Sequence, residues 1–404
     1  MSGKLLRLVC IAATAAGTVL APVPATAVPE PDTEQRDIAG LLTDLQSLYR
    51  KAEEATETYN ATEEKLKKQR AETDRLDRAL ARARLSLHDS RGAAGRLARQ
   101  QYQSSTGISP YVRLLLARDP QRAMEQGHVI GRLARERAHT TGRLAGDEHK
   151  AHELARKARK ALDEQLALTE RRRKERDEVR ARLHDVEEVL ASLSPDRLTD
   201  LAEFERNGVT KAQETFMTSG ALGHAGSSSS VRTPSAGGAR AVRYAVRQLG
   251  KPYEWGAEGP GAYDCSGLTS RAWAAAGTPI PRTSQEQWEQ LERIPLEELR
   301  PGDLVVYFPE ATHVALYLGD GMVVQAPRPG AKVKVSPIAA NPVLGAVRPD
   351  PDGEPLRRYE PPELPEGAMD GSDEGYEGVG GDADEGGDAD DGGYAAPAPD
   401  TSAR

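Results

Sequence analysis

The residue with the clearest chemical potential in this chain is a cysteine in the stretch YDCSGLTSRAWAAAG. Cys265 stands where this stretch takes up helical spacing. Backbone N–H groups in the first turn of a helix stabilise an anion, so this position is expected to lower the thiol pKa and favour the reactive thiolate. An inert, buried cysteine is the alternative. The chain has one other cysteine, Cys10, in an apolar run near the N-terminus.

A thiolate nucleophile needs a base, and the positions of the histidines narrow the choice. The chain has 8 histidines, and all but one fall in charged helical stretches or in the Ser- and Gly-rich stretch that follows them. Only His313 shares a compact segment with Cys265, at the start of the strand-like run HVALYL. Elimination therefore predicts His313 as the base. The alternative is a histidine at a strand end whose ring makes only structural hydrogen bonds.

A third group should orient the imidazole, and the hairpin HVALYL-GDG-MVVQ suggests which residue does so. A three-residue loop, 319–321, with Gly321 in the left-handed conformation would put Gln325 diagonally opposite His313 on the same face. A two-residue turn would put it on the opposite face. We predict the three-residue loop, with the Gln325 amide oxygen accepting from the imidazole N–H. An exposed glutamine at a strand end is the alternative.

The N-terminus has the pattern of a secretory signal peptide. Lys4 and Arg7 precede an apolar run from Leu8 to Leu20, and Ala25-Thr26-Ala27 follows it. A basic start, a short apolar run and small residues before the cleavage point predict a signal peptide over residues 1–27. A retained membrane anchor is the alternative. No later stretch is apolar enough to span a bilayer, so no membrane span is expected after signal removal.

Residues 32–218 have the composition of a coiled coil. Apolar or small residues recur at alternating spacings of three and four from Ile38 to Leu87, which is the period of a coiled-coil seam. A second charged helix is predicted from Gln121 to Leu193, ending before Pro195. The stretch between them contains Gly107, Pro110 and Pro120. We predict an antiparallel helical hairpin, with parallel dimerisation of one helix as the alternative.

The remainder of the chain divides by composition into three parts. Residues 219–238 read as a flexible linker, residues 239–350 as one compact unit, and residues 351–404 as a disordered acidic tail. The compact unit alternates helical segments with three strand-like runs (303–308, 313–318 and 322–325), which predicts an α+β fold with helices on a small antiparallel sheet. The net charge is −8, but the acidic excess lies in the tail and the rest of the chain is near neutral, so nothing favours a nucleic-acid partner.

Motifs in the compact unit resemble those of a known family. They are PYEWG, YDCSGLTSRAW, PRTSQEQW, LRPGDLVVY, HVALYLGDGMVVQAPRPG and GAVRP. In this order and spacing they are similar to the motifs of NlpC/p60 cell-wall cysteine peptidases, which have a papain-like fold. The resemblance implies hydrolysis of peptidoglycan stem peptides, typically between D-γ-glutamate and the diamino acid. It implies Cys265 as nucleophile, His313 as base and Gln325 as the third polar residue, without a metal or cofactor.

The same resemblance implies four residues that face the stem peptide. Tyr253 matches a tyrosine near the oxyanion, and Asp264, Ser266 and Arg282 match positions in the substrate cleft. Each residue also has a plainer interpretation: Tyr253 as packing, Asp264 and Ser266 as helix caps, and Arg282 as a surface charge. Gln325 departs from the histidine or acidic residue found in many members, so it brings no negative charge to the imidazole.

These features together predict a secreted or wall-associated peptidoglycan endopeptidase. The helical half resembles the coiled coils of secreted division-associated hydrolases, which implies either a membrane or divisome partner or a helix folded over the cleft. Two other functions stay open. One is a catalytically silent adaptor whose helices activate another hydrolase, and the other is an acyltransferase on the same fold.

Overall fold

A computed structural model describes residues 33–104, 110–116, 119–223 and 233–368. The predicted signal peptide lies outside these residues, as do the middle of the predicted linker and the chain after residue 368. Within the described ranges, no helix combines the length and the apolar character needed to cross a membrane.

The first half of the structure is helical. Its four helices are α1 (Thr33–Ser104), α2 (Pro110–Leu115), α3 (Pro120–Ala191) and α4 (Pro195–Thr218). Prolines stand at the first positions of α3 and α4, where the missing N–H costs nothing. The side chains of Asp119 and Ser194 cap these helices by accepting from Gln121 N and Arg197 N. The chain therefore breaks before Pro195 as the sequence predicts, and a further helix follows.

α1 and α3 pack against each other in antiparallel directions. Arg172 of α3 contacts Glu63 of α1 at 3.1 Å, and the amide of Gln69 donates to the Ala161 carbonyl at 2.9 Å. Leucines of α1 and alanines or valines of α3 are buried between the helices: Leu45, Leu66, Leu76, Leu80, Ala151, Ala158, Val179 and Val186. The predicted hairpin is thus formed within one chain.

The second half combines three helices with one sheet. The helices are α5 (Ala236–Val246), α6 (Cys265–Ala275) and α7 (Ser284–Gln290). The strands are β1 (Glu292–Ile294), β2 (Leu304–Tyr307), β3 (His313–Gly319), β4 (Met322–Gln325), β5 (Lys334–Pro337) and β6 (Val343–Arg348). The strands pair antiparallel in the order β1-β6-β2-β3-β4-β5. The α+β class is confirmed, and the sheet has three strands beyond the three that the sequence indicated.

Both faces of this sheet are covered. On one face, alternate residues such as Leu304, Val306 and Leu316 belong to the core formed with α5 and α6. On the other, Val305, Tyr307 and Tyr317 belong to a second cluster that includes Leu222, and Phe216 of α4 packs against it. β2 is therefore buried along its whole length, and β3 is buried over its first five residues. Because α4 covers one face, the helical region and the sheet unit are packed together.

The compact unit extends beyond the predicted boundary at residue 350. The described chain continues to residue 368, and the N–H of Val335 donates to the Ala368 carbonyl at 3.0 Å. Arg300 also holds Gly353 and Asp350 through hydrogen bonds of 2.8 and 2.9 Å to their carbonyls. Residues 351–368 thus pack on the sheet unit, and the acidic segment that follows lies outside the described residues.

Candidate active site

Cys265 is the first residue of α6 and is buried. The preceding Asp264 caps the helix, with its Oδ1 accepting from Gly267 N at 2.6 Å. Only glycine fits at position 267, because a Cβ there would stand 2.2 Å from the Ala257 carbonyl oxygen. The run Asp-Cys-Ser-Gly therefore holds the thiol at the helix N-terminus, with a loop packed closely behind it.

His313 is the first residue of β3, and Gln325 is the last residue of β4. Both side chains are buried, and Gln325 Oε1 lies 2.7 Å from His313 Nε2. An amide oxygen can only accept, so this contact requires a proton on Nε2, and in the neutral ring the lone pair is then on Nδ1. Among these side chains, Nδ1 is consequently the nitrogen that can take a proton from a thiol.

The hairpin that brings these two residues together differs in detail from the predicted loop. Asp320 and Gly321 both have positive φ (51° and 73°), as a two-residue type I′ turn requires. A bulge between Tyr317 and Gly319 adds one residue to β3, so Leu316 pairs with Val324. The extra residue comes from the bulge and not from the turn. The resulting register, with His313 and Gln325 on the same face, is the one that the three-residue loop predicted.

The thiol of Cys265 and the imidazole of His313 are both buried, and both have contacts near the start of β3. The backbone N–H of Val314, next to His313, forms a hydrogen bond to the Cys265 sulfur. Two glutamates of α1 also reach these side chains: Glu57 Oε1 lies 3.7 Å from Cys265 Sγ, and Glu53 Oε1 lies 3.2 Å from His313 Nδ1. Residues four apart on a helix are neighbours on its surface. One turn of α1 therefore spans both members of the predicted dyad.

Glu57 is held in this position by three groups. Its Oε1 accepts from the Ser266 hydroxyl at 2.6 Å, its Oε2 accepts from Ser284 N at 2.9 Å, and the Cys265 thiol points at Oε1. Burial, followed by the charge of Asp264, raises the pKa of Glu57 from 4.5 to about 7, although its hydrogen bonds oppose the rise. The carboxyl group is therefore partly protonated near neutral pH.

Glu53 raises the pKa of the His313 imidazole. Burial by itself lowers the pKa of His313, but the charge of Glu53 and the hydrogen bonds to the ring outweigh burial, so the pKa is raised. The contact with Nδ1 is an ion pair and not a well-aligned hydrogen bond. The nitrogen that should receive the thiol proton is thus already paired with a carboxylate.

The expected lowering of the Cys265 pKa is wrong for this arrangement. Burial, and then the charges of Glu57, Asp264 and Glu53, raise the thiol pKa well above its ordinary value. The Val314 N–H favours the thiolate, but it is outweighed. A helix N-terminus contributes only a fraction of a charge, whereas each carboxylate contributes a whole one. The thiol is therefore protonated while α1 occupies the cleft.

The four residues that the resemblance placed near the substrate lie near Cys265. Arg282 makes two hydrogen bonds to Asp264, at 2.7 and 3.1 Å, and a third to the Ser266 hydroxyl at 2.8 Å. It is buried, so it is not a free surface charge. Asp264 combines capping with this ion pair, whereas the Ser266 hydroxyl faces Glu57. Tyr253 is buried, and burial raises its pKa.

The sequence-based prediction missed Glu53, Glu57 and Asn60 of α1. Asn60 Nδ2 donates to Asp264 Oδ2 at 3.1 Å, so all three side chains reach the site. The three residues are spaced four and three apart, which puts them on one face of the helix. This spacing was the only sequence feature that could have predicted their place in the site. In a charged helix the same spacing ordinarily marks a solvated face. Among the described residues, no group of three or more His, Cys, Asp or Glu side chains is arranged to hold a metal ion.

Comparisons with known proteins place residues 250–345 in a family. They match the NlpC/P60 family. A probable endopeptidase of Mycobacterium tuberculosis is 37% identical over 121 residues, which cover 29% of this chain and 31% of that protein. The peptidoglycan endopeptidase RipA of the same species is 34% identical over 152 residues, which cover 33% of this chain and 31% of RipA. The chain thus spans about a third of the length of these curated relatives.

Solved structures are also similar over the compact unit. One of them, the P60 domain of the M. avium subspecies paratuberculosis antigen MAP1204, is 34% identical, with a TM-score of 0.25. The alignment covers 27% of this chain and 94% of that domain. From the family match and the motifs around Cys265 and His313, residues 250–345 of this chain are an NlpC/P60 domain, preceded by a long helical region.

Proposed function

We propose that the protein is a secreted cysteine endopeptidase that cleaves peptidoglycan stem peptides at the bond between D-γ-glutamate and the diamino acid. The observation that carries the proposal is the buried set of Cys265, His313 and Gln325, with Gln325 fixing the proton on Nε2. The names of the endopeptidase relatives support the substrate class. The signal-like N-terminus and the family's action on the cell wall support secretion.

The mechanism follows from the proton positions. Once Nδ1 of His313 is free, it accepts the Cys265 proton, and the thiolate attacks the peptide carbonyl. The imidazolium then donates its Nδ1 proton to the leaving amine, which departs and leaves a thioacyl enzyme. Water attacks the thioacyl group as His313 accepts its proton, and the acid product and thiol are released. Gln325 keeps the ring oriented throughout. Tyr253 and Arg282 are proposed to contact the stem peptide.

A catalytically silent adaptor is the second candidate, and one observation favours it. In this arrangement Cys265 is buried and protonated, and both dyad residues are paired with glutamates of α1. An adaptor would keep this arrangement permanently. A peptidase must leave it to act. The two functions therefore differ in whether Cys265 ever becomes a nucleophile toward a stem peptide.

Digestion of a defined muropeptide by the full chain tests the proposal. The wild type and the Glu57→Ala variant are incubated with the muropeptide, and products are identified by mass spectrometry. We expect two shorter peptides from at least the variant, and none from a Cys265→Ala version of either chain. Conjugates with an added amine or lipid would indicate an acyltransferase. No product from either chain, together with normal iodoacetamide labelling of Cys265, would leave the adaptor as the function.

A further inference from the structure

The α1–α3 hairpin loses its buried seam toward the end that is remote from the sheet unit. Buried side chains line the hairpin as far as Ser90 of α1 and Ala151 of α3. Between these two positions, none of the residues that the structure describes is buried. The two helices still lie side by side where this part begins, since Arg91 lies 3.2 Å from Glu148. We call residues 91–150 the distal end of the hairpin.

Large apolar side chains are concentrated on the surface of the distal end. Six of them, between 37% and 84% exposed, belong to α2, to the residue after it and to the N-terminal part of α3: Val112, Leu115, Leu116, Met124, Val129 and Leu133. Elsewhere in the described chain, exposed side chains of this kind stand singly or in pairs, as they do on most proteins. A concentrated apolar patch on a protein surface marks a contact site.

The distal end is also strongly basic. Residues 91–150 contain eleven Lys or Arg and five Asp or Glu, a net charge of +6, whereas the whole chain has a net charge of −8. Arg96 and Arg99 of α1 and Arg132 and Arg135 of α3 are exposed, and none of the four forms an ion pair within the described ranges. Positive charge that the chain itself leaves unpaired attracts an anionic partner.

These two properties together narrow the choice of partner. A second copy of the chain would cover the apolar side chains, but it would bring the same positive charge and be repelled. The acidic segment after residue 368 has the opposite charge, but it has only four large apolar or aromatic side chains in 36 residues. Nucleic acid would pair with the arginines and leave the leucines in water. A bilayer with anionic headgroups above an apolar layer satisfies both the charge and the apolar surface.

We propose that the distal end of the hairpin is a membrane-binding site that inserts its apolar side chains between the headgroups of anionic lipids. Each basic residue near an anionic bilayer strengthens binding by about fivefold, and the apolar side chains add the gain from their burial. The end of a hairpin protrudes, and a lipid interface accepts such a shape without a matching cavity. The inference does not rest on the proposed function, because none of these residues belongs to the NlpC/P60 domain.

The length of α1 sets how far the NlpC/P60 domain stands from such a bilayer. α1 contacts the sheet unit at Lys67, which lies 3.4 Å from Glu258, and it continues to Ser104. The 37 residues after Lys67 rise about 55 Å at 1.5 Å per residue. A hairpin that meets the lipid end-on therefore holds the domain about 55 Å from the membrane surface.

Co-sedimentation with lipid vesicles tests this site. The chain from residue 28 onward, which lacks the apolar run near the N-terminus, is mixed with vesicles of phosphatidylglycerol and phosphatidylcholine, or of phosphatidylcholine by itself. The double variant Leu115→Ser/Leu116→Ser removes two exposed leucines of the patch. Its matched control is Leu162→Ser/Leu166→Ser, because these leucines of α3 are 45% and 59% exposed but lie outside the distal end.

A second pair of variants tests the charge. Arg132→Gln/Arg135→Gln removes two arginines of the distal end, and Arg159→Gln/Arg180→Gln removes two exposed arginines from the rest of α3. We expect the wild type to bind the anionic vesicles and to detach in about 0.5 M salt. The leucine and arginine variants of the distal end should each weaken binding about tenfold or more, whereas both controls should bind as the wild type does.

A Leu115→Trp variant measures insertion into the lipid directly. The natural tryptophans, Trp255, Trp273 and Trp288, all lie in the sheet unit. Additional fluorescence that brominated lipids quench therefore reports on residue 115. Sedimentation of this variant without such quenching would show that only charge holds the protein at the surface, and it would refute insertion.

Three results would overturn the proposal, and one separates it from the proposed function. Failure of the wild type to sediment with anionic vesicles would leave an acidic protein as the partner. Equal binding by the wild type and Leu115→Ser/Leu116→Ser, with unchanged circular dichroism spectra, would exclude the patch. A dimer in analytical ultracentrifugation that this variant abolishes would assign the patch to a second copy. Vesicle binding without muropeptide hydrolysis would uphold the membrane site and refute the peptidase.

Discussion

The protonation of Glu57 makes a quantitative prediction about how pH controls the cleft. Glu57 has a pKa of about 7 with α1 in place and an ordinary value of 4.5 when it is solvated. In the closed form, Glu57 of α1 lies in the cleft beside Cys265, Asp264 and Arg282 of the NlpC/P60 domain, with Glu53 on its own helix. In the open form, α1 has left the cleft and Glu57 is in water. Because the closed form has the higher pKa, it holds a proton that the open form releases.

The sign and size of this pH dependence follow from the difference between the two pKa values of Glu57. The advantage of the closed form is fully present below about pH 4.5 and is lost as the pH rises through about 7. The complete difference corresponds to about 3 kcal/mol, at about 1.4 kcal/mol per pKa unit. Between about pH 5.5 and about pH 8, the ratio of closed to open protein should fall roughly 30-fold through Glu57. The raised pKa of His313 acts in the same direction.

Small-angle X-ray scattering of the full chain across this pH range measures the opening without relying on the thiol. We expect the wild type to become more extended as the pH rises. Glu57→Gln cannot titrate at this position and should lose most of the pH dependence, whereas Glu54→Gln should follow the wild type. Equal pH profiles for the wild type and Glu57→Gln, or opening on acidification, would refute the reasoning.

Three further predictions concern the site and its support. Gln325→Ala should lower turnover about tenfold, from the loss of one hydrogen bond to His313, with an unchanged circular dichroism spectrum; unaltered kinetics would remove Gln325 from the site. Asp264→Ala removes a helix cap and leaves Arg282 with Glu258, so urea denaturation should show a loss of about 3 kcal/mol; a loss below about 1 kcal/mol would contradict the structural role of the pair. Gly267→Ala should cost about 1–3 kcal/mol by overpacking against the loop, and a neutral result in the same assay would show that the loop can move aside.

The parts of the fold that depend on patterns within a short stretch of sequence were predictable. The 3.5-residue period from Ile38 to Leu87 predicted one long helix, and Pro195 ended the second long helix as expected. Strands β1, β5 and β6 were missed because they are short and take their order from pairing with distant strands. The packing of residues 351–368 was missed for a similar reason, since a few backbone contacts outside a strand leave little trace in composition.

The candidate site was predictable in part for the same reason. Residues 313–325 form one hairpin, so the pairing of His313 with Gln325 depends on a turn and a bulge within a dozen residues. The predicted turn was wrong in detail, but the register depends on the number of residues inserted and not on where they are inserted. The predicted pKa of Cys265 failed because it considered only the helix that carries the thiol.

Sequence patterns predicted the nucleophile, its partners in a short hairpin and the division of the chain into a helical half and an α+β half. These follow from spacing within a few turns or one hairpin. The positions of Glu53 and Glu57 beside His313 and Cys265 depend instead on how α1 packs against the sheet unit. Two hundred or more residues separate each pair, and the orientation of a long polar helix on a domain is set by many weak contacts. No local pattern distinguishes the glutamates of that face from those that remain in water.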